Sequence, residues 1–416
     1  MQVEAYAISK INGFLLEPDP LTSLPQEHEF FRKLDRMRWS TPRYFGTEKF
    51  RAIIDDFSSF YLTQVAKGDQ AELNDIHEYL KDERVARLAR LTLGTLMQAY
   101  VLGSPHEAGA GNVVPRIPAG VAVPMAYISE LLDVPPILAY QDYCLANWER
   151  VDKGQPVELG NIMILQYLLG GLDEAWFILV HTDIEARMGK VPDAFLIAFR
   201  GVHANNVALV ANGLTTIKVG LDAMNTTFLR MPEYCSSDIF FERVRPYIHG
   251  QEGNPALPNG VIYEGVSEKP FSLRGESGAQ SSIIPLCAAG LGVVYPDDWL
   301  SQYVREMHAY MPRGHRRFIA DVVALEKHFS IRAFVDKHKE THPFLFDAFH
   351  VCLEAGREFL IQHAAFTEEY IHRHSAKSTA ANPHNIGTGG SDFMNTLLRH
   401  ADCWKLEIEN IRIGVS

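Results

Sequence analysis

The stretch THPFLFDAFHVCLEAGREFLIQHAAFTEEY, residues 341–370, decides the fold. Phe349, Cys352, Gly356, Phe359, His363, Phe366 and Tyr370 recur in it at spacings of three and four. That period places them on one face of a long helix, opened by Pro343 at a first helical position, where its fixed φ is favourable. His363 stands in the middle of the stripe, so its ring faces the same interior as the aromatic residues. A buried imidazole needs a partner for its nitrogens, either a hydrogen bond within the core or a metal or haem iron. Spacing alone leaves both readings open. Gly356, two turns earlier, removes a side chain where a flat group could approach.

Outward from this helix the pattern stays helical. Val85, Ala89, Leu93, Leu96 and Tyr100 predict a helix over 82–102, followed by a loop over Gly103 to Pro124. Leu172 to Arg187 reads as another, with Asp173 and Glu174 in the first turn where they oppose the helix dipole. A last helix begins near Phe393, with Ser391 or Asp392 as its N-cap. Strand signals are confined to Val261, Ile262 and Tyr263 after the Pro258-Asn259-Gly260 turn, and loops are expected near 250–280 and 375–391. The expected class is therefore mostly α.

Composition narrows the function classes. The chain has 416 residues, enough for two or three domains, with 47% hydrophobic residues and a net charge of -12. An acidic chain offers no general phosphate-neutralising field, which argues against nucleic acid as partner. Its five cysteines are odd in number and never paired as C-x-x-C, which fits a reducing cytoplasm and excludes a disulfide framework or zinc ribbon. Met1 to Leu15 shows no signal pattern, and no uncharged run reaches the ~18 residues that span a bilayer, so no membrane partner is expected. Eleven of the seventeen histidines fall between His308 and His400. His372 and His374, in a polar run at the helix end, read as solvated.

Three further constellations could carry chemistry. Phe177, His181 and Glu185 lie at steps of four on one helical face, either a packed histidine above a glutamate or two ligands of a metal; one histidine is missing from the H-E-x-x-H pattern. Phe240, Phe241 and Arg245 set an arginine fork beside aromatic rings, as a surface ion pair or as a clamp for a carboxylate. Gly387-Thr388-Gly389-Gly390-Ser391-Asp392 resembles a phosphate cradle, but no lysine follows and no strand precedes it. It can equally be a helix start or a loop that closes over a ligand.

Taken in order, these features resemble the indoleamine 2,3-dioxygenase family of haem enzymes. The resemblance is carried by Arg87-Leu88-Ala89-Arg90-Leu91, by Pro135-Pro136-Ile137-Leu138 with Tyr140 and Leu145-Ala146-Asn147-Trp148, and by Gly253-Asn254-Pro255 through Gly265. It continues through Ser277-Gly278-Ala279-Gln280-Ser281-Ser282, Tyr310-Met311-Pro312 with His315-Arg316, and the glycine loop. It implies a small N-terminal domain, residues 1–165, with helices and a few short strands, covering the distal pocket of a large all-helical domain, residues 166–416, that binds haem b.

The resemblance also implies roles. His363, seven residues before Tyr370, matches the proximal iron ligand. Phe177, Phe240, Phe241, Arg245 and Tyr140 match substrate-pocket positions, Phe240 also flanking the haem. Ser277 and Gly278 match the segment beside the haem, and Thr388, Gly389 and Gly390 the loop that closes on substrate. Two positions depart: His181 stands where the mammalian enzymes have serine, as in the related tryptophan 2,3-dioxygenases, where it would accept the indole N–H. Leu360 replaces an arginine near a haem propionate, so another group must serve there. The implied activity is insertion of O2 into the indole C2–C3 bond of L-tryptophan or a close indole, with ferrous haem, giving N-formylkynurenine in a monomer or weak oligomer. Rearrangement of a tryptophan derivative by a related haem enzyme, a non-catalytic haem sensor, and a non-haem iron site built from His181, Glu185 and His363 are the alternatives.

Overall fold

A computed structural model of the chain describes residues 1–15, 19–47, 49–66, 70–103 and 112–413. Helices dominate it, as the apolar periodicity predicts. The first half holds α1 (Glu29–Tyr44), α2 (Phe50–Ala66), α3 (Gln70–Tyr79), α4 (Glu83–Leu102), α5 (Ala119–Leu132) and the single turn α6 (Tyr140–Tyr143). The second half begins with α7 (Leu172–Arg187), α8 (Val191–His203) and α9 (Val207–Phe228). There follow α10 (Ser237–Ile239), α11 (Arg245–Ile248), α12 (Ile283–Gly290), α13 (Trp299–His308), α14 (Arg313–His328) and α15 (Ile331–His338), then the long α16 (Pro343–Tyr370) and α17 (Phe393–Ile413). Strands of two residues each make two small sheets: β1 (Arg116–Ile117) runs parallel to β4 (Ile262–Tyr263), and β2 (Glu149–Arg150) antiparallel to β3 (Ile162–Met163).

The expected helix ends are explained by local chemistry. Asp82 caps α4 by accepting the Arg84 N–H at 2.9 Å, and Gly103 ends it at φ 80°. Glu174 is buried in the first turn of α7 and accepts the N–H groups of Leu168, Leu169 and Gly170 at 2.6, 3.0 and 2.8 Å. The long helix starts at Pro343, as expected.

The stretch expected as a loop from Gly103 to Pro124 is a loop only in part; residues 104–111 lie outside the described residues. Helix α5 begins at Ala119 and continues through Pro124 to Leu132. A Cβ at Gly120 would stand 2.4 Å from the Ser58 Cα, so this glycine serves close packing of α5 on α2 rather than a turn. Gly356 likewise leaves no gap for a flat group. A Cβ there would meet Cζ3 of Trp404 at 2.2 Å, so the glycine seats the α17 indole against α16.

Several of the strings that carry the family resemblance are structural ties. Arg90 is fully buried on α4 and donates to Asp142 at 2.8 Å, to Ser129, and to the carbonyls of Pro135 and Ile137. Tyr263 donates to the Pro136 carbonyl at 2.8 Å, and Asn147 bridges Leu165 and Gln166. The segment Val207–Glu233 is long and apolar enough by length and composition to cross a membrane; within it, α9 packs against α7, α8 and α16. Helices α7, α9, α12, α13, α14, α16 and α17, with the segments 240–248, 276–281 and 387–391, line the cavity described next.

Candidate functional site

A cavity of about 390 Å³, open to one side, is walled in large part by aromatic rings. The α16 stripe supplies Phe359, His363, Phe366 and Tyr370. Phe228 of α9 fits among them, 5.0 Å from Phe359, 5.7 Å from His363 and 4.9 Å from Phe366. Phe240 joins Tyr370 at 5.8 Å to Phe177 at 4.8 Å, and Phe177 meets His181 at 4.6 Å. His363, Phe177, His181, Phe240, Ser277, Gly278, Thr388 and Gly389 thus come together on one cavity wall or another.

His363 is half-buried, and its open face is the cavity. Burial, then the neighbouring His181 and His400 rings, lower its pKa to about 4, so the imidazole is neutral with a free nitrogen lone pair. Its ring makes no hydrogen bond among the described residues. A Cβ at Gly278 would come to 3.4 Å from its Cε1, so the 277–278 segment lies against the ring. An unpartnered neutral imidazole on an aromatic wall is the donor that a haem iron requires.

His181 is oriented differently. Its Nδ1 is bonded to the Phe177 carbonyl at 2.7 Å, and because a carbonyl only accepts, that nitrogen carries the proton. Burial lowers its pKa as well, leaving Nε2 as an acceptor. Glu185, one turn on, is not beside it as a ligand: its Oε1 accepts the hydroxyls of Tyr140 at 2.9 Å and Ser281 at 2.7 Å, and burial raises its pKa to about 7. Among the described residues no three His, Cys, Asp or Glu side chains are gathered to hold a metal ion, so the site from His181, Glu185 and His363 does not form.

Four of the expected pocket residues lie outside the cavity lining: Tyr140, Phe241, Arg245 and Gly390, with Phe241 fully buried and stacked on His374 at 4.8 Å. Tyr140 is fully buried behind His181, its ring edge-on at 6.0 Å, with its hydroxyl committed to Glu185. Arg245 is fully buried, with Nη1 on the Asn382 amide oxygen, Nη2 on the Ile386 carbonyl, and Nε without a partner. Among the described residues no carboxylate is paired with it, and burial lowers its pKa to about 9. Gly390, at φ 77°, packs on Glu252 and Arg274 instead, while the loop is pinned by Arg274 to the Gly389 carbonyl at 2.8 Å and by Gly250 to the Thr388 carbonyl at 3.0 Å.

Leu360 lines the cavity one turn before His363. On the wall made by α13 and α17 lie Arg305, His308 and His400. The Nε2 atoms of both histidines are buried without a hydrogen-bond partner, and burial lowers both pKa values, His400 to about 4. Such orphaned donors or acceptors are costly unless a ligand meets them. No periodicity marks His308, His400, Phe228 or Glu276 as site residues, because each comes from an element whose role is set only by tertiary packing.

A match to the protein family described as indoleamine 2,3-dioxygenase covers residues 2–402. The chain is 29% identical over 413 residues to indoleamine 2,3-dioxygenase 1 of Rattus norvegicus, spanning 97% of this chain and 95% of that protein. It is 29% identical over 426 residues to an indoleamine 2,3-dioxygenase of Aspergillus nanangensis, spanning 97% and 96%. A protein of Haliotis madaka named myoglobin is 29% identical over 396 residues, spanning 95% of each chain.

Proposed function

The chain belongs to the indoleamine 2,3-dioxygenase family, and from that premise we propose that it is a haem-dependent dioxygenase inserting both atoms of O2 across the indole C2–C3 bond of L-tryptophan to give N-formylkynurenine. The observation that carries the reading is the pair of neutral histidines on the cavity walls, His363 with an uncommitted ring and His181 with only Nε2 left as acceptor. Haem supplies the iron chemistry of O2 activation when bound.

The residues present fit haem. His363 would be its iron ligand, Gly278 lies beside the His363 ring, and Phe228, Phe359 and Phe366 would supply an apolar wall. With Leu360 where the family resemblance implies an arginine, His308 and His400, aided by Arg305, would receive the propionates, which supplies partners for two orphaned Nε2 atoms.

The substrate is positioned by the remaining side chains. Phe177 and Phe240 would hold the indole between them and the haem, and His181 Nε2 would accept the indole N–H. Arg245, buried with neutral partners only, would take the amino-acid carboxylate, and the 387–391 loop would exclude water above it. Tyr140 and Glu185 act behind His181, fixing the wall that carries it. Residues 1–165 would be the part that covers the distal side.

The test is direct. The haem-loaded ferrous protein, given L-tryptophan and O2, is expected to release N-formylkynurenine, while His363→Ala is expected to lose its Soret band and the product together. Stable O2 binding without product would overturn the catalytic reading and favour the role named in the Haliotis relative. A different indole product would instead favour rearrangement chemistry.

A further inference from the structure

One acid on the cavity wall has no part in the roles above. Glu276 is 2% exposed and lines the cavity. Among the described residues its carboxyl meets only the Cys144 thiol, at 3.9 Å from Oε1, a weak donor at long range. Burial raises its pKa to about 8, and that thiol contact is the opposing influence. Two other buried acids are treated differently: Glu174 accepts three backbone N–H groups and Glu185 two hydroxyls. A buried carboxyl left with so little is destabilising unless something in the cavity completes its hydrogen bonding.

Its place follows from its neighbours. The Glu276 N–H is fixed on the Ile248 carbonyl at 3.0 Å. The carboxyl lies by Cys144, whose carbonyl accepts the Thr182 hydroxyl of α7 at 3.0 Å, and acts electrostatically on Tyr140 and Tyr143. Tyr143 in turn meets the Phe177 ring at 6.4 Å, whereas Phe240 meets Phe177 at 4.8 Å and Arg245 lies over Phe241 at 5.6 Å. Glu276 therefore lies on the Tyr143 and Cys144 side of Phe177, while Phe240 packs on the same ring. In an indole amino acid the carboxylate and the benzo ring lie at opposite ends. In the proposed pose, with the carboxylate at Arg245, a benzo ring on the Tyr143 and Cys144 side of Phe177 would meet Glu276.

We infer that Glu276 is a specificity-determining residue that favours indoles carrying a hydrogen-bonding hydroxyl or amino group on the benzo ring. The inference rests on the proposed function, because the substrate pose does. An unsubstituted benzo ring leaves the carboxyl unmet, while a hydroxyl or amine can satisfy it, and sites built around a buried polar group discriminate on that basis.

Titration of the ferric haem-loaded protein, followed by the Soret shift, gives the dissociation constants of L-tryptophan and its 5-, 6- and 7-hydroxy derivatives. At least one hydroxy derivative is expected to bind about tenfold more tightly than L-tryptophan, the effect of one well-made buried hydrogen bond. Glu276→Leu is expected to abolish that ratio, and Glu276→Gln, which keeps an acceptor oxygen, to retain part of it. A wild-type protein that prefers L-tryptophan to every hydroxy derivative overturns the inference and leaves the proposed function standing. So does a preference that survives Glu276→Leu. A protein that takes up haem but binds no indole overturns the proposed function and the inference with it. Because the wild-type comparison is decisive alone, a variant that fails to fold does not protect the claim.

Discussion

At the scale of single residues, one hydrogen bond can decide what a ring is able to do. The Phe177 carbonyl holds the His181 proton on Nδ1, so the side chain offers the cavity an acceptor rather than a donor. Arg245 is the converse, a cation held by two neutral acceptors and, among the described residues, paired with no anion. Arg245→Ala is expected to raise KM for L-tryptophan about 10- to 100-fold, the range for losing a charge-assisted pair of hydrogen bonds. Binding of tryptamine, which lacks the carboxylate, should be unaffected; an equal loss for tryptamine would make the arginine merely structural. His363 is legible in the sequence because a helical period announces which residues share a face. Glu276 is not, since a lone acid before Ser277 has no periodic context and its burial depends on α6 and α7 arriving from elsewhere.

Elements tell a similar story about glycine and proline. Expecting a loop as far as Pro124 treats those residues as breakers, yet α5 starts at Ala119 and runs through that proline. The cause is tertiary: Gly120 allows α2 to approach within contact of the α5 backbone, and that packing outweighs local propensity. The short π-helical turn Phe240–Val244 between α10 and α11 is equally invisible in spacing, although it sets the directions of Phe240 and Arg245. By contrast the start of α16 matches its apolar periodicity, because Leu345, Phe349, Cys352 and Gly356 form one buried face, whereas α7 is buried on nearly every side. Gly356 provides a test at this scale. Gly356→Leu would drive a side chain into the Trp404 indole, and overpacking of this kind costs about 1–3 kcal/mol. Urea unfolding should show a lower midpoint at unchanged slope; an unchanged midpoint would mean α17 is not seated by that contact.

Over the whole molecule, the fold encloses a set of neutral titratable groups, and their linkage gives a stability profile. Glu185, Glu276 and Glu326 have pKa values raised by burial from 4.5 to about 7, 8 and 7. Their contribution is complete below pH 4.5 and is lost as pH rises through those values, because the unfolded chain ionises first. His249, His315 and His400 are lowered from 6.5 to about 3, 3 and 4, chiefly by burial. Their contribution is complete above pH 6.5 and is lost as pH falls through those values. Between pH 4.5 and 6.5 the two trends oppose each other, so Tm is expected to be nearly level there and to fall on both sides. A Tm that climbs steadily from pH 6.5 to 8.5 would contradict it.

The acceptors on Arg245 have a consequence for turnover. Asn382 and Ile386 belong to the connection between α16 and α17, more than 130 residues along the chain from the arginine they hold. If a carboxylate binds Arg245 as proposed, that connection would have to surrender the guanidinium, and would reclaim it when product departs. Substrate and chain would then be rivals for the same two nitrogens. The rivalry would weaken apparent affinity by the fraction of time the chain wins, and would hasten product departure by the same exchange.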